Sequence, residues 1–115
     1  MTVRAVSPVQ PRDLRDAFRL SRERLARLIG VSAKTVERWE ARPTQPARDD
    51  IRARLAQLRE IADLGAAVYT RERLADFMLA PLAEAEGLTP LQLIERGEAE
   101  RVLAALAADY EGAGY

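Results

Sequence analysis

The stretch RERLARLIGVSAKTVERWE, Arg22 to Glu40, contains the only lysine of a chain whose other basic residues are all arginines. Ser21 and Ser32 stand where two helices would begin, because serine is a favoured N-cap. Gly30 stands where the first helix would end, because glycine accepts the left-handed backbone that follows many helix C-termini. The stretch therefore predicts two short helices joined by a tight turn.

Three positions in this stretch meet the packing needs of a helix-turn-helix. Ala26 is small where the two helices would cross, Gly30 tolerates a positive φ in the turn, and Val36 is apolar where the second helix would pack. The residues expected to complete this small core are Leu25, Val31 and Trp39. The spacing thus favours a helix-turn-helix over two unrelated surface helices.

The polar side chains left on the second helix point away from this core. Ser32, Lys34, Thr35 and Arg38 can donate hydrogen bonds to phosphates or to base edges in the major groove. Lys34 lies near the N-terminus of the helix, which is the part of a recognition helix that enters the groove most deeply. We therefore interpret Lys34 as a DNA contact, and the alternative is that Lys34 and Arg38 only form a solvated helix face.

Composition limits the chemistry that the chain can perform. The 115 residues include no cysteine and no histidine, which excludes disulfides, thiolate zinc sites and histidine-based acid-base or nucleophilic catalysis. The N-terminal residues lack the apolar core of a signal peptide, and no run approaches the roughly 20 apolar residues of a membrane span. We expect a soluble cytoplasmic protein without a bound cofactor or metal.

The balance of residue types predicts an all-α fold. Alanine (21 residues) and leucine (15) outnumber valine plus isoleucine (11), which favours helix over sheet. Residues 1–64 carry a net charge of +5 and residues 65–115 a net charge of −5. A basic half beside an acidic half indicates a polyanionic partner for the first and a different partner for the second.

Helix start signals divide the chain further. Residues 1–10 are predicted to form a flexible arm. Pro11 suits the first turn of a helix within PRDLRDAFRL, with Leu14 and Phe18 on one face. A long helix is expected from about Ala47 to Val68, and it would join a helix-turn-helix domain of residues 11–64 to a helical domain of residues 65–115. Thr70 is the predicted N-cap of the next helix.

The last part of the chain contains the clearest capping motif. Thr89, Pro90 and Gln92 form a predicted capping box, and Gly97 is expected to end that helix. A final helix should follow, with Val102, Leu103, Leu106 and Tyr110 on one face, and the sequence EGAGY is expected to be an exposed C-terminal tail.

The segment LARLIGVSAKTVERWE resembles the Xre-type helix-turn-helix of phage-repressor-like regulators. The resemblance implies that Lys34 and Arg38 read bases, that Ala33 contacts a thymine methyl group, and that phosphates are bound by residues that include Ser21, Arg22 and Thr35. The complete set of expected DNA-binding residues is Ser21, Arg22, Ser32, Ala33, Lys34, Thr35, Arg38 and Arg42.

From about Thr70 the chain resembles the toxin-binding domain of the Xre/MbcA/ParS antitoxin family. The matching parts are a short helix, the segment from Gly87 to Leu91, a Leu/Ile-x-x-Gly pattern that ends at Gly97 and a last helix leading to Gly112. Phe77 or its neighbour stands where the family usually carries tryptophan, and LAEAEG replaces the usual Asn/Pro-rich turn.

This resemblance implies an antitoxin that represses its own operon by binding operator DNA and blocks a RES-type, NAD-consuming toxin. The C-terminal region would cover the entrance of the toxin active site, with carboxylates meeting cationic groups. The expected toxin-binding residues are Asp109, Tyr110, Glu111, Gly112 and Tyr115. A homodimer is expected on DNA, because one unit of this size buries too little surface for tight specific binding, and a larger complex is expected with the toxin.

Two other functions are compatible with parts of the sequence. The chain could be a stand-alone transcription regulator whose C-terminal half serves only for dimerisation. An enzyme would have to use carboxylates such as Asp49 with Asp50 or Glu84 with Glu86, but residues one or two positions apart do not face each other on a helix. No catalytic residue is therefore predicted.

Overall fold

The computed structural model describes residues 10–42, 46 and 48–112, and these residues form an all-helical fold. The all-α prediction is therefore confirmed for this part of the chain. The helices are α1 (Pro11–Phe18), α2 (Arg22–Ile29), α3 (Ala33–Ala41), α4 (Asp49–Val68), α5 (Arg71–Met78), α6 (Pro90–Glu95) and α7 (Ala99–Gly112), with a 3-10 turn at Ala83–Ala85 between α5 and α6.

Side-chain caps begin four of the helices at the predicted residues. The hydroxyls of Ser21, Ser32, Thr70 and Thr89 each accept a hydrogen bond from the backbone N–H three residues later. Gln92 completes the predicted capping box by accepting the backbone N–H of Thr89 at 2.9 Å. These bonds satisfy N–H groups that have no partner within the helix, which explains why the helices begin where they do.

The C-terminal tail was predicted wrongly in part. Helix α7 continues to Gly112, so Glu111 and Gly112 are helical although they are exposed. The sequence between Ala99 and Glu111 contains no residue that breaks a helix, and glycine is tolerated at the last position. Residues 113–115 lie outside the described residues, as do residues 1–9 of the predicted arm; Gln10 is the N-cap of α1.

Apolar side chains from every helix meet in one buried cluster. Helix α4 packs along α7 and also contacts α1, α2 and α5, while α2 contacts α6. The most deeply buried large side chains are Leu14, Leu25, Leu28, Ile29, Val36, Leu58, Ile61, Met78, Leu91, Leu93, Val102 and Leu106. The cluster includes residues on both sides of position 64, where the domain boundary was placed, and that boundary stays a prediction.

Two ion pairs also connect the halves of the chain. Arg24 lies 3.0 Å from Glu95, and Arg19 lies 3.7 Å from Glu72. Both pairs are at least partly exposed, so each contributes little to stability. None of the described helices combines the length and the apolarity needed to cross a membrane.

Candidate functional sites

The α2–α3 unit has the predicted small core. Leu25, Ala26 and Val36 are buried, and Val31 and Trp39 pack partly buried against them. Between the two helices Gly30 has a φ of 88°, which is the left-handed region that glycine enters without strain. The N–H of Gly30 donates to the carbonyl of Ala26 at 2.8 Å, so this turn ends α2 and sets the direction of α3.

The predicted DNA-binding residues of α3 lie on its accessible side. Lys34 and Arg38 are exposed one turn apart, and Arg42 is the exposed C-cap. Ala33 is half-buried at the first helical position. Glu37 is exposed between the two cations, so this surface carries mixed charge. Lys34 and Arg38, the cations predicted to read bases, therefore lie on the exposed side of one short helix. On the opposite side of that helix, Val36 packs into the core.

The hydroxyl groups predicted to bind phosphate serve first as helix caps. Ser21 Oγ accepts the N–H of Arg24 at 3.1 Å, and Ser32 Oγ accepts the N–H of Thr35 at 3.1 Å. Ser32 Oγ and Thr35 Oγ1 are also hydrogen-bonded at 2.9 Å. A hydroxyl that accepts a bond keeps its own proton as a donor, so Ser21 can cap α2 and also bind phosphate. Of Ser32 and Thr35, one hydroxyl proton is used in the bond between them and the other stays available.

Glu40, at the end of α3, is the most informative polar residue of this region. Its side chain is only 2 % exposed, and its Oε2 accepts from Arg15 Nε of α1 at 2.9 Å while its Oε1 accepts from Arg22 Nε of α2 at 2.5 Å. Burial raises the pKa of Glu40, but the two guanidinium groups outweigh burial and lower that pKa below its ordinary value. Glu40 is therefore a buried carboxylate that joins three helices.

This arrangement changes the role expected for Arg22. The bond to Glu40 raises the pKa of Arg22 above its ordinary value and fixes its Nε. The terminal amino groups of Arg22 stay partly accessible, since its side chain is 43 % exposed. The sequence predicted Trp39 in the core of α3, and Glu40 was not among the predicted site residues. The signal that could have indicated Glu40 was a glutamate one helical turn after Val36, with arginines on the two preceding helices.

The C-terminal end of α7 holds the predicted toxin-binding residues. Asp109 Oδ2 accepts a hydrogen bond of 2.5 Å from the hydroxyl of Tyr69, which follows α4. Burial and the neighbouring carboxylate together raise the pKa of Tyr69 to about 12. The ring of Tyr69 packs against Phe77 of α5, with 5.4 Å between ring centroids. Asp109 is thus already bound within the chain.

The other predicted toxin-binding residues lie beyond this bond. Tyr110, Glu111 and Gly112 are exposed, and Tyr110 and Leu79 are the two large apolar side chains of the described residues that are most accessible to solvent. Tyr115 lies outside the described residues. Within residues 10–42, 46 and 48–112, no group of three or more acidic side chains is arranged to hold a metal ion.

No protein-family model matches the chain. The mycobacterial cidal antitoxins MbcA of Mycobacterium bovis and Mycobacterium tuberculosis are 33 % identical to it over 93 residues, which is 81 % of this chain and 81 % of each relative. The fold matches a chain in the crystal structure of the M. tuberculosis MbcT-MbcA toxin-antitoxin complex with a TM-score of 0.74 and 30 % identity. That match covers 91 % of this chain and 94 % of the other.

Proposed function

This chain belongs to the MbcA antitoxin family, and we propose that it neutralises a cognate RES-type toxin and represses its own operon by binding operator DNA. The single observation that carries this proposal is the likeness to MbcA in sequence and in fold over most of the chain. The relatives are antitoxins rather than enzymes, in keeping with the absence of histidine and cysteine.

Operator binding is assigned to an Xre-type helix-turn-helix formed by α2 and α3. Lys34 and Arg38 are exposed on the same helix and can donate to base edges, while Ala33 is available for a methyl contact. Arg42 and the hydroxyls of Ser21, Ser32 and Thr35 would bind phosphates. Arg22 would bind a phosphate through its terminal amino groups while Glu40 holds its Nε.

The homodimer expected on DNA belongs to the same proposal. The exposed surface of one α3 covers only a few base pairs, and two half-sites about one helical turn apart would supply the missing contact area. We therefore expect a pseudo-palindromic operator. The measurement is the mass of the complex on a minimal operator, and a complex with one chain per operator would contradict this expectation.

Toxin binding is assigned to the end of α7. The resemblance to partners of NAD-consuming toxins leads us to expect a basic pocket on the toxin, because such a pocket must hold a pyrophosphate. Glu111 would meet those cations, and Tyr110 and Tyr115 would supply apolar contact. Asp109 would act mainly through its bond to Tyr69, which fixes the direction of the helix end.

The DNA assignment is tested by gel-shift titrations with Lys34→Ala and Arg38→Ala. Each variant should lose about 1 to 3 kcal/mol of discrimination between operator and random DNA. The matched control is Arg59→Ala, which removes an exposed arginine from α4 instead of α3. Wild-type operator preference in both α3 variants would rule out α3 as the recognition helix.

The toxin assignment is tested by co-expression with the adjacent open reading frame. Co-purification of the two products, together with rescue of cellular NAD, is the result expected of an antitoxin. A stand-alone regulator would bind DNA but would not co-purify with the neighbouring product. Deletion of Gly112 to Tyr115 should preserve folding and operator binding but weaken neutralisation, and full NAD protection by the truncated chain would show that those residues are dispensable.

A further inference from the structure

An open groove of about 440 Å³ lies between α1, α4 and the start of α5. Its most deeply placed residue is Leu74, which is buried, and the half-buried Ala17, Ala62 and Tyr69 surround it. The small side chains of the two alanines leave the space that forms the groove. The groove is therefore apolar at its base and open to solvent.

Charged side chains stand at the edge of the groove. Asp13 and Asp16 are exposed, three residues apart on α1, and Arg71 is exposed at the start of α5. Among the residues that the structure describes, neither aspartate forms an ion pair. The two carboxylates are thus available to a cationic group that approaches the apolar base.

The groove adjoins the end of α7 that is assigned to toxin binding. Tyr69 lines the groove with its ring, and its hydroxyl donates to Asp109 on α7. One side chain therefore connects the groove with the end of α7.

We infer that this groove is a second part of the toxin interface, and that it receives a toxin segment with an apolar side chain flanked by arginine or lysine. The apolar side chain would cover Leu74 between Ala17 and Ala62, and the cation would meet Asp13 or Asp16. The inference rests on the proposed toxin binding. It differs from the assignment of α7 because it places contacts on α1 and α4, in the half of the chain that also carries the helix-turn-helix.

Two variants of the full-length chain test the groove. Ala66→Trp places a large ring over the groove from an exposed position on α4, and Asp16→Lys reverses one of its charges. The matched controls are Ala56→Trp and Glu60→Lys, which make the same changes at exposed positions of α4 that do not line the groove. The probe is the purified product of the adjacent open reading frame.

Each groove variant should bind the toxin about tenfold more weakly or worse than the wild type, as expected when bulk or the opposite charge is placed within an interface. Operator affinity should stay unchanged, and both controls should bind the toxin as the wild type does. Wild-type toxin affinity in both groove variants would overturn the inference while leaving toxin binding by α7 intact.

Two further outcomes also decide against the inference. If Ala66→Trp alters the mass of the free chain in solution, the groove binds a second copy of this chain. If the wild-type chain itself does not bind the toxin, the proposed function fails together with the inference, which distinguishes that result from a failure of the groove alone. Asp16→Lys keeps the test valid if Ala66→Trp disturbs folding, because Asp16 is exposed.

Discussion

The region that is proposed to bind DNA and the region that is proposed to bind the toxin are fixed by different polar contacts. Helix α3 is held by Glu40, a buried carboxylate that accepts from arginines on α1 and α2. At the end of α7, Asp109 accepts a hydrogen bond from Tyr69 at an exposed position.

The difference matches what each region is proposed to recognise. Removing the charge of Glu40 is expected to cost about 2 kcal/mol, so α3 is confined to one orientation, as base reading requires. Breaking an exposed hydrogen bond costs about 0.5 kcal/mol, so the end of α7 can adjust to a protein surface. The two regions nevertheless share one apolar core. Substitutions in that core and in each region can therefore show how far the stability of one region depends on the other.

The largest expected effect comes from Leu58→Ala. Leu58 is 1 % exposed, and it borders a small internal space together with Leu28 of α2 and Ile94 of α6. The substitution should lower the free energy of unfolding by about 2 to 5 kcal/mol. Because Leu58 belongs to the apolar core that both regions share, the fluorescence of Trp39 and the far-UV circular dichroism should report one shared transition.

The conservative change Leu58→Met serves as the control, with an expected loss below about 1.5 kcal/mol. Two separate transitions in Leu58→Ala would show that the regions unfold independently. That outcome would support a domain boundary near residue 64 and would weaken the view of α4 as a shared core helix.

Glu40→Gln should have the next largest effect, with a loss of about 2 kcal/mol at neutral pH, because Arg15 and Arg22 lose their anionic partner. Since the pKa of Glu40 is lowered by folding, its contribution is present above the ordinary value of 4.5 and is lost as pH falls through the folded value. The stability difference between wild type and variant, measured by urea unfolding, should therefore shrink below pH 4.5.

Glu37→Gln is the matched control, because Glu37 is exposed on the same helix. It should leave the free energy of unfolding unchanged. Operator binding should weaken in Glu40→Gln even where the variant is fully folded, since α3 would lose its tie to α1 and α2. Equal operator affinity in both variants would show that apolar packing alone orients α3.

A pair of glycines provides a comparison at smaller energies. Gly30 and Gly97 have φ values of 88° and 79°, and they lie in the turns that precede α3 and α7. Alanine at either position should cost about 1 to 2 kcal/mol, because a side chain is strained in the left-handed conformation. Thermal unfolding should show similar losses for Gly30→Ala and Gly97→Ala.

The two glycine variants should differ in function. Only Gly30 sets the direction of α3, so only Gly30→Ala should weaken operator binding. Unequal stability losses would instead point to contacts of the new side chain, since a Cβ at Gly30 would lie 3.4 Å from Arg54, whereas one at Gly97 would meet nothing within 4 Å.

The smallest effect is expected for Tyr69→Phe, with a loss of about 0.5 kcal/mol near neutral pH. Because folding raises the pKa of Tyr69 from 10 to about 12, its contribution is complete below pH 10 and falls as pH rises toward 12. Urea unfolding of the wild type at pH 9 and pH 11.5, with Tyr69→Phe as the reference, isolates this contribution. Burial of Tyr69 raises the same pKa, so a difference that does not change with pH would indicate that Tyr69 is neither buried nor bonded to Asp109 in solution.

Local features of the sequence were sufficient to predict most helix starts. Four helices are capped by the residues that predicted their starts, namely Ser21, Ser32, Thr70 and Thr89. Gly30 has the left-handed backbone conformation that the predicted turn required. These features depend on contacts between residues three or four positions apart, so short patterns determine them. The exposure of Lys34 and Arg38 follows from the same helical period.

Contacts between distant residues were decided only by the tertiary structure. Arg15 and Glu40 are 25 positions apart and Tyr69 and Asp109 are 40 apart, so no local pattern pairs them. For the same reason, the sequence did not reveal that Arg22 is partly engaged by Glu40, or that α1, α4 and α5 leave a groove over Leu74. A helix pattern shows which side of a helix is apolar, whereas the partner of a charged side chain depends on how the helices pack.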